Sequence, residues 1–202
     1  NGIIFGKDST VDVHALIAST LDIADSAFLS GNISFTGDSE AAVINLGSIN
    51  ADSFAALIGG KVTNDGSITA PGGDAALLAA DATLEVGEAA GGKITLDLSG
   101  LLGGTVANSG SIDVASSTMK GGSATILGER VSVEGLVDAS GAIGGGQVLI
   151  GGDYQGSNLD FSNAQTANVS GSIFADSSSS GDGGRVIIWA DGVTTFTGDL
   201  SA

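Results

Sequence analysis

A pentapeptide of the form Asn-x-Gly-Ser-Ile occurs three times, and it constrains the fold more than any other feature of the chain. The copies begin at Asn45, Asn64 and Asn108. Looser copies keep only a glycine that shortly precedes an apolar residue, at Gly135, Gly171 and Gly198. Recurrence of one motif along a chain is typical of repeat architectures, in which each unit packs only against its neighbours.

The spacing of the motif glycines is irregular, and it predicts where the chain leaves the repeat. The intervals are 19, 44, 25, 36 and 27 residues. The interval of 44 predicts two coils, one of which carries a degenerate motif, and the interval of 36 predicts one coil with an insertion. Residues 151–168, rich in Asn, Gln, Ser and Asp, are interpreted as that excursion. Residues 19–32 also depart from the repeat, and they predict one helical turn capped by Asp22 or Asp25.

A second element alternates with the pentapeptide and predicts the remaining strands of each unit. A double glycine followed by a small or apolar run begins at Gly72, Gly121 and Gly183. Each copy continues into a further β-rich run, at residues 82–86, 131–134 and 193–196. Short strands bounded by Gly, Asn, Asp and Ser fit the preferences of those turn residues. One unit therefore reads as three short strands separated by three turns.

These patterns predict a single all-β domain over residues 1–202, folded as a right-handed parallel β-helix with one or two short excursions. Stacking at about 4.8 Å would place Ile49, Ile68 and Ile112 in one inward column. Asn45, Asn64 and Asn108 would stack as a side-chain amide ladder at one corner. Glycines would supply the positive φ that corners need. A β-sandwich is the alternative, although its strands would be longer and contain fewer double glycines.

Composition limits the possible partners and cofactors. The chain contains 34 glycines, one proline and no cysteine, so neither disulfides nor thiolate metal sites are available. Six basic residues face 23 acidic ones, for a formal net charge of −17. This charge disfavours binding to nucleic acid or to an anionic membrane. We expect no cofactor, no resident metal and no membrane span.

The beginning of the chain resembles a known family. The resemblance lies in Asn1-Gly2-Ile3-Ile4-Phe5-Gly6, in Val11-Asp12-Val13 and in Leu16-Ile17-Ala18-Ser19-Thr20-Leu21-Asp22-Ile23. These segments are similar to the filamentous-haemagglutinin N-terminal domain, the secretion domain of two-partner secretion exoproteins. The later glycine-rich blocks are similar to that family's β-helix coils.

The resemblance implies a non-enzymatic segment of a large exported adhesin from a Gram-negative bacterium. Its partner would be an outer-membrane transporter barrel with small periplasmic domains, and a host glycan or receptor would be bound through the parent protein. The localisation implied is the cell surface or the medium, reached through the periplasm. Asn1, Gly2 and Ile3 would be the remnant of the secretion motif, and we expect them to stabilise the early coils. The family's upstream cap and downstream coils are expected outside this sequence.

Two other functions remain open at this point. The first is a structural filament or matrix protein built from coils stacked end to end. The second is a polysaccharide-degrading β-helix enzyme, which would need carboxylates gathered on one face, the candidates being Asp138, Asp153, Asp176 and Asp182 with Arg185.

Three further sequence features are weak signals for a functional site, and ordinary structural roles explain them better. Asp182-Gly183-Gly184 faintly resembles calcium-binding repeats but lacks their nine-residue period. His14, the one histidine, could contact Asp12 on the same strand face. Trp189 and Tyr154 could stack on sugars, although Trp189 ends a β-rich run and is expected to pack in the core or as a cap.

Overall fold

The described part of the chain consists mainly of β-strands and the turns between them, and these wind as a parallel β-helix, as predicted. The computed structural model describes residues 2–23, 25, 33–37, 39–79, 84–89, 93–98, 103–158 and 162–202. Successive coils stack through parallel strand pairs. The seven coils and their two strand-forming excursions account for 22 strands among these residues.

The strands are numbered in chain order. Coil 1 contains β1 (Ile3–Phe5) and β2 (Thr10–Ser19), followed by an excursion with β3 (Asp22–Ile23) and β4 (Ile33–Thr36). Coil 2 contains β5 (Ala42–Asn45) and β6 (Ser48–Ile58), and coil 3 contains β7 (Lys61–Asn64), β8 (Ser67–Thr69) and β9 (Asp74–Leu78). A second excursion contains β10 (Leu84–Ala89) and β11 (Lys93–Leu98).

The later coils repeat the three-strand pattern. Coil 4 contains β12 (Thr105–Asn108), β13 (Ser111–Asp113) and β14 (Ser123–Leu127). Coil 5 contains β15 (Arg130–Val133), β16 (Leu136–Asp138) and β17 (Gln147–Ile150), and coil 6 contains β18 (Ala164–Val169), β19 (Ser172–Phe174) and β20 (Arg185–Ile188). Coil 7 ends the described chain with β21 (Ala190–Phe196) and β22 (Asp199–Ser201).

Each coil has three faces, and equivalent strands lie above one another. Face 1 is a seven-stranded sheet in the order β1-β5-β7-β12-β15-β18-β21. Face 2 contains β8, β13, β16, β19 and β22, and face 3 contains β9, β14, β17 and β20. The long strands β2 and β6 run through both of these faces, because β6 pairs with β8 along its first part and with β9 along its second.

The core of face 2 is one column of β-branched and leucine side chains. Ile49, Ile68 and Ile112 are paired in register and are at most 1% exposed, which confirms the predicted inward column. Alternation with the polar residues on either side of each isoleucine directs these side chains inward. Burying one such side chain contributes about 1.5–3 kcal/mol.

Face 3 is buried on both sides, which the sequence interpretation did not anticipate. Ala55 and Leu57 point into the solenoid core, so the alternating neighbours Ala56 and Ile58 point outward, yet both are fully buried. Leu78 is also outward-facing and fully buried. A second layer must therefore cover the outside of this face. The signal was present, since uninterrupted apolar runs are typical of strands covered on both faces.

The two strand-forming excursions pair with each other, and this contradicts the prediction that the 44-residue interval contains two coils. They form an antiparallel sheet in the order β11-β10-β4-β3. The 44-residue interval is thus one coil plus a hairpin, because Asn64 pairs directly with Asn108. The prediction of two coils was wrong, and the described part of the run predicted at residues 82–86 belongs to β10 of the hairpin rather than to a coil.

The 36-residue interval spans one coil whose additional residues precede β18. A short 3₁₀ turn, Tyr154–Gly156, follows β17, and β18 rejoins face 1 by pairing with β15. The solenoid therefore resumes at Ala164, inside the region interpreted as an excursion over residues 151–168. Asp22 lies in β3, and most of the helical turn predicted within residues 19–32 lies outside the described residues.

Candidate functional site: the asparagine ladder and the open end of the solenoid

The structure places Asn45, Asn64 and Asn108 one above another at the corner between faces 1 and 2. They end β5, β7 and β12, and the pairing of these strands sets all three residues in register. All three are buried, with at most 1% of their surface exposed. Buried amides are costly unless they are hydrogen-bonded, so their partners decide whether the ladder stabilises the fold.

The amides bond to one another along the solenoid axis. Asn45 Nδ2 donates to Asn64 Oδ1 at 2.8 Å, and Asn64 Nδ2 donates to Asn108 Oδ1 at 2.7 Å. Each of these nitrogens also donates to a backbone carbonyl of the next coil, that of Ser67 or Ser111, at 3.2 Å. Asn45 and Asn64 therefore each tie their own coil to the following one.

The two ends of the ladder differ. At the first rung, Asn45 Oδ1 accepts from the Gly47 backbone N–H at 3.1 Å, so the oxygen is satisfied within its own coil. At the last rung, Asn108 lies in register with Val133, and its buried Nδ2 has no partner among the described residues. An orphaned buried donor costs about 1–3 kcal/mol. The junction between coils 4 and 5 is therefore weaker at this corner than the junctions before it.

The motif glycines line the same corner, and close backbone approach explains them. A Cβ at Gly66 would overlap the Gly47 carbonyl oxygen, and a Cβ at Gly110 would overlap that of Gly66. The contact recurs for the three later motif glycines, Gly135, Gly171 and Gly198. None of the six has positive φ, so the predicted reason for these glycines was wrong. Positive φ is found at other glycines, including Gly72 and Gly144.

The predicted secretion-motif remnant lies at the start of coil 1. Asn1 lies outside the described residues. Gly2 is exposed, and a Cβ there would lie 2.6 Å from the Ala42 carbonyl oxygen. Ile3 begins β1, pairs with Val43 and packs against the core. Gly2 and Ile3 thus contact coil 2, while a role for them in secretion stays a prediction.

The single histidine has a different partner from the one considered in the sequence. His14 Nδ1 lies 3.5 Å from Asp52 Oδ2, and both side chains are more than three-quarters exposed. Asp12 instead accepts a hydrogen bond from Asn50 at 2.7 Å. The pair therefore lies on the open surface, where it is screened by water.

Three of the carboxylates considered for polysaccharide cleavage each bond to a different neighbour. Asp138 Oδ1 accepts from the Ser140 backbone N–H at 2.8 Å, which is a turn-stabilising bond. Asp176 accepts from the hydroxyl of Ser201. Asp153 pairs with Arg185 at 2.8 Å. In the described part of the chain, no three His, Cys, Asp or Glu residues are grouped as metal ligands would be.

The last coil leaves apolar side chains uncovered. Val193, Phe196 and Leu200, here called the open end, are 58%, 41% and 48% exposed. Leu200 occupies the face 2 column directly after Ile173, which is fully buried. Phe196 likewise lies in register with Val169, which is buried, so both residues continue core columns of coil 6.

The chain is similar to known proteins at the level of solved structures. No protein-family model matches the chain, and no curated protein matches it. Among solved structures, the HMW1 secretion domain from Haemophilus influenzae is similar, with 22% identity and a TM-score of 0.49. The similarity covers 100% of this chain and 78% of that one. No described helix is long and apolar enough to span a membrane.

Proposed function

We propose that this chain is the secretion and folding segment of an exported bacterial adhesin, recognised by an outer-membrane transporter of the two-partner type. The supporting sequence observation is the resemblance of residues 1–23 to the secretion domains of such exoproteins. The supporting structural observation is that residues 3–19 form the first coil of a seven-coil β-helix. The segment would therefore supply both the recognised sequence and folded rungs to which further coils can add.

The proposed mechanism is folding of further coils onto the open end. A chain that crosses a membrane unfolded must regain its structure outside, and a coil already folded offers the next one a complete set of edge hydrogen bonds and an apolar column. Phe196 and Leu200 present such a surface at the last coil. Folding that proceeds coil by coil in this way would help draw the remaining chain outward.

Secretion of the exported precursor, co-expressed with its transporter, tests the proposal. We expect secretion to require the transporter and to fall when Asn1 and Gly2 are both replaced by alanine or when Ile3 is replaced by serine. Ile4→Ser is the matched control, because Ile4 is 67% exposed on the outer side of the same strand. Undiminished secretion without the transporter would contradict the proposal, as would secretion of all these variants at the level of the wild type.

A filament-forming scaffold is the second candidate, and the exposed apolar residues of the open end favour it. Concentration-dependent fibres in electron micrographs of the purified chain would support the scaffold, and a monomer at high concentration would argue against it.

A further inference from the structure

The connection between coils 5 and 6 is fastened by side chains to strands that lie far ahead in the sequence. Asp153, just after β17, pairs with Arg185 of β20 at 2.8 Å, across 32 residues of chain. Asp153 also accepts from the Tyr154 backbone N–H at 2.7 Å, so its carboxylate is held in place. Only 20% of the Asp153 side chain is exposed.

A second carboxylate fastens the other end of the same connection. Asp191 Oδ1, in β21, accepts from Trp189 Nε1 and from Asn163 Nδ2, each at 3.1 Å. Asn163 lies directly before β18, whereas Trp189 lies at the corner between β20 and β21. One carboxylate oxygen thus joins the beginning of coil 6 to its end.

Two glycines show that the connection is packed against these partners. A Cβ at Gly152 would lie 2.5 Å from Asn163 Oδ1 and 3.1 Å from Trp189 Cδ1. A Cβ at Gly156 would lie 2.5 Å from Asn163 Nδ2 and 3.1 Å from Trp189 Nε1. A larger residue at either position would displace the Asn163 amide, and Gly156 also has a φ of +61°, so both positions favour glycine.

We propose that Asp153, Asn163, Arg185, Trp189 and Asp191 form a clasp that holds the open end in strand geometry. Edge strands without a covering coil open readily, because few buried contacts oppose local unfolding. The residues of β21 after Ala190 are all exposed. The clasp contacts span 28 and 32 residues, so they complete only when coil 6 has closed and β21 has begun.

The clasp stabilises the last corner independently of any further coil. It therefore keeps the edges of β20 and β21 ordered as a surface on which another strand can pair. This inference does not rest on the proposed secretion function, because it concerns only how the last coil stays folded.

Hydrogen exchange of the purified chain, measured by mass spectrometry, tests the clasp. Asp191→Ala removes the acceptor shared by Trp189 and Asn163, and Asp191→Asn keeps an oxygen acceptor. Asp199→Ala is the control, because Asp199 is an exposed carboxylate on β22 whose side chain makes no hydrogen bond or ion pair among the described residues. Peptides covering residues 185–196 report on the open end, and peptides covering residues 61–78 report on coil 3.

We expect Asp191→Ala to accelerate exchange over residues 185–196 by about tenfold, since two hydrogen bonds that oppose opening are lost. Exchange in coil 3 should not change, Asp191→Asn should recover most of the protection, and Asp199→Ala should match the wild type. The proposal is overturned if Asp191→Ala exchanges no faster than Asp199→Ala. It is also overturned if exchange rises equally in coil 3, because the contacts would then stabilise the whole solenoid rather than its end.

Discussion

Replacing Asn64 by alanine should destabilise the protein more than any other single asparagine substitution in the ladder. Asn64 is the middle rung and makes three side-chain hydrogen bonds, one from Asn45 and two that it donates to Asn108 Oδ1 and the Ser111 carbonyl. Asn45 also makes three, but one of them is to Gly47 of its own coil, and Asn108 makes one, so only Asn64 bonds to the coils on both sides. The middle position is therefore the most sensitive test of whether the ladder stabilises the fold.

The magnitude follows from those bonds. Each buried hydrogen bond contributes about 1 kcal/mol net, and leaving a former partner unsatisfied adds about 1–2 kcal/mol. Asn64→Ala should therefore lower the free energy of unfolding by about 3–5 kcal/mol, a large part of the 5–15 kcal/mol typical of a folded domain. Asn168→Ala makes the same chemical change at an exposed position of face 1 and should cost less than about 0.5 kcal/mol.

Urea unfolding followed by circular dichroism, with linear extrapolation, measures the difference. The slope of the free energy with urea should be the same for both variants, because the surface exposed on unfolding is nearly unchanged. If Asn64→Ala and Asn168→Ala unfold at the same urea concentration, the ladder contributes nothing measurable, and the reasoning from its hydrogen bonds is wrong.

Three further predictions use the same unfolding assay. Asn64→Asp buries a carboxyl group, and burial raises its pKa in the folded state above that in the unfolded chain. The free energy of unfolding of this variant should therefore fall as the pH rises, because the unfolded chain loses the proton more readily. An equal loss of unfolding free energy relative to the wild type at pH 4 and pH 7 would contradict this. Gly110→Ala forces a Cβ onto a backbone oxygen and should cost more than about 3 kcal/mol, whereas Gly6→Ala has open space and should be nearly neutral. Val133→Thr should lower the free energy of unfolding by about 1 kcal/mol less than Val131→Thr does. Residue 133 lies in register with Asn108, so a threonine hydroxyl there can accept a hydrogen bond from the unpartnered Asn108 Nδ2, whereas one at residue 131 cannot.

The stacking of the coils could be predicted from the sequence because each repeat marks its own position in the coil. The pentapeptides fix the register of Ile49, Ile68 and Ile112, since one alternation pattern places every isoleucine on the same side of its strand. The double-glycine blocks likewise mark the strands of face 3. Local information sufficed here, because in a solenoid each unit contacts mainly its sequence neighbours.

The pairing of the excursions could not be predicted in the same way. Ser34 of β4 pairs with Glu85 of β10, two residues that belong to no repeat and lie on different connections. The clasp was missed for a similar reason, because Asn163 and Asp191 are ordinary residues until the fold brings them together. The role of the motif glycines was misjudged because the sequence shows that a glycine is present but not whether φ or a neighbouring carbonyl requires it.

The amide ladder ends at Asn108, so the coils before and after this residue should differ in their resistance to a pulling force. Coils 2 to 4 are linked through the amide ladder in addition to their backbone hydrogen bonds, whereas coils 5 to 7 are joined at that corner by backbone hydrogen bonds and apolar side chains, with no amide in register among the described residues. Under a load applied at Ala202, the later coils would peel away first and the extension would pause at coil 4. The early coils would therefore resist mechanical unfolding more strongly than the late ones.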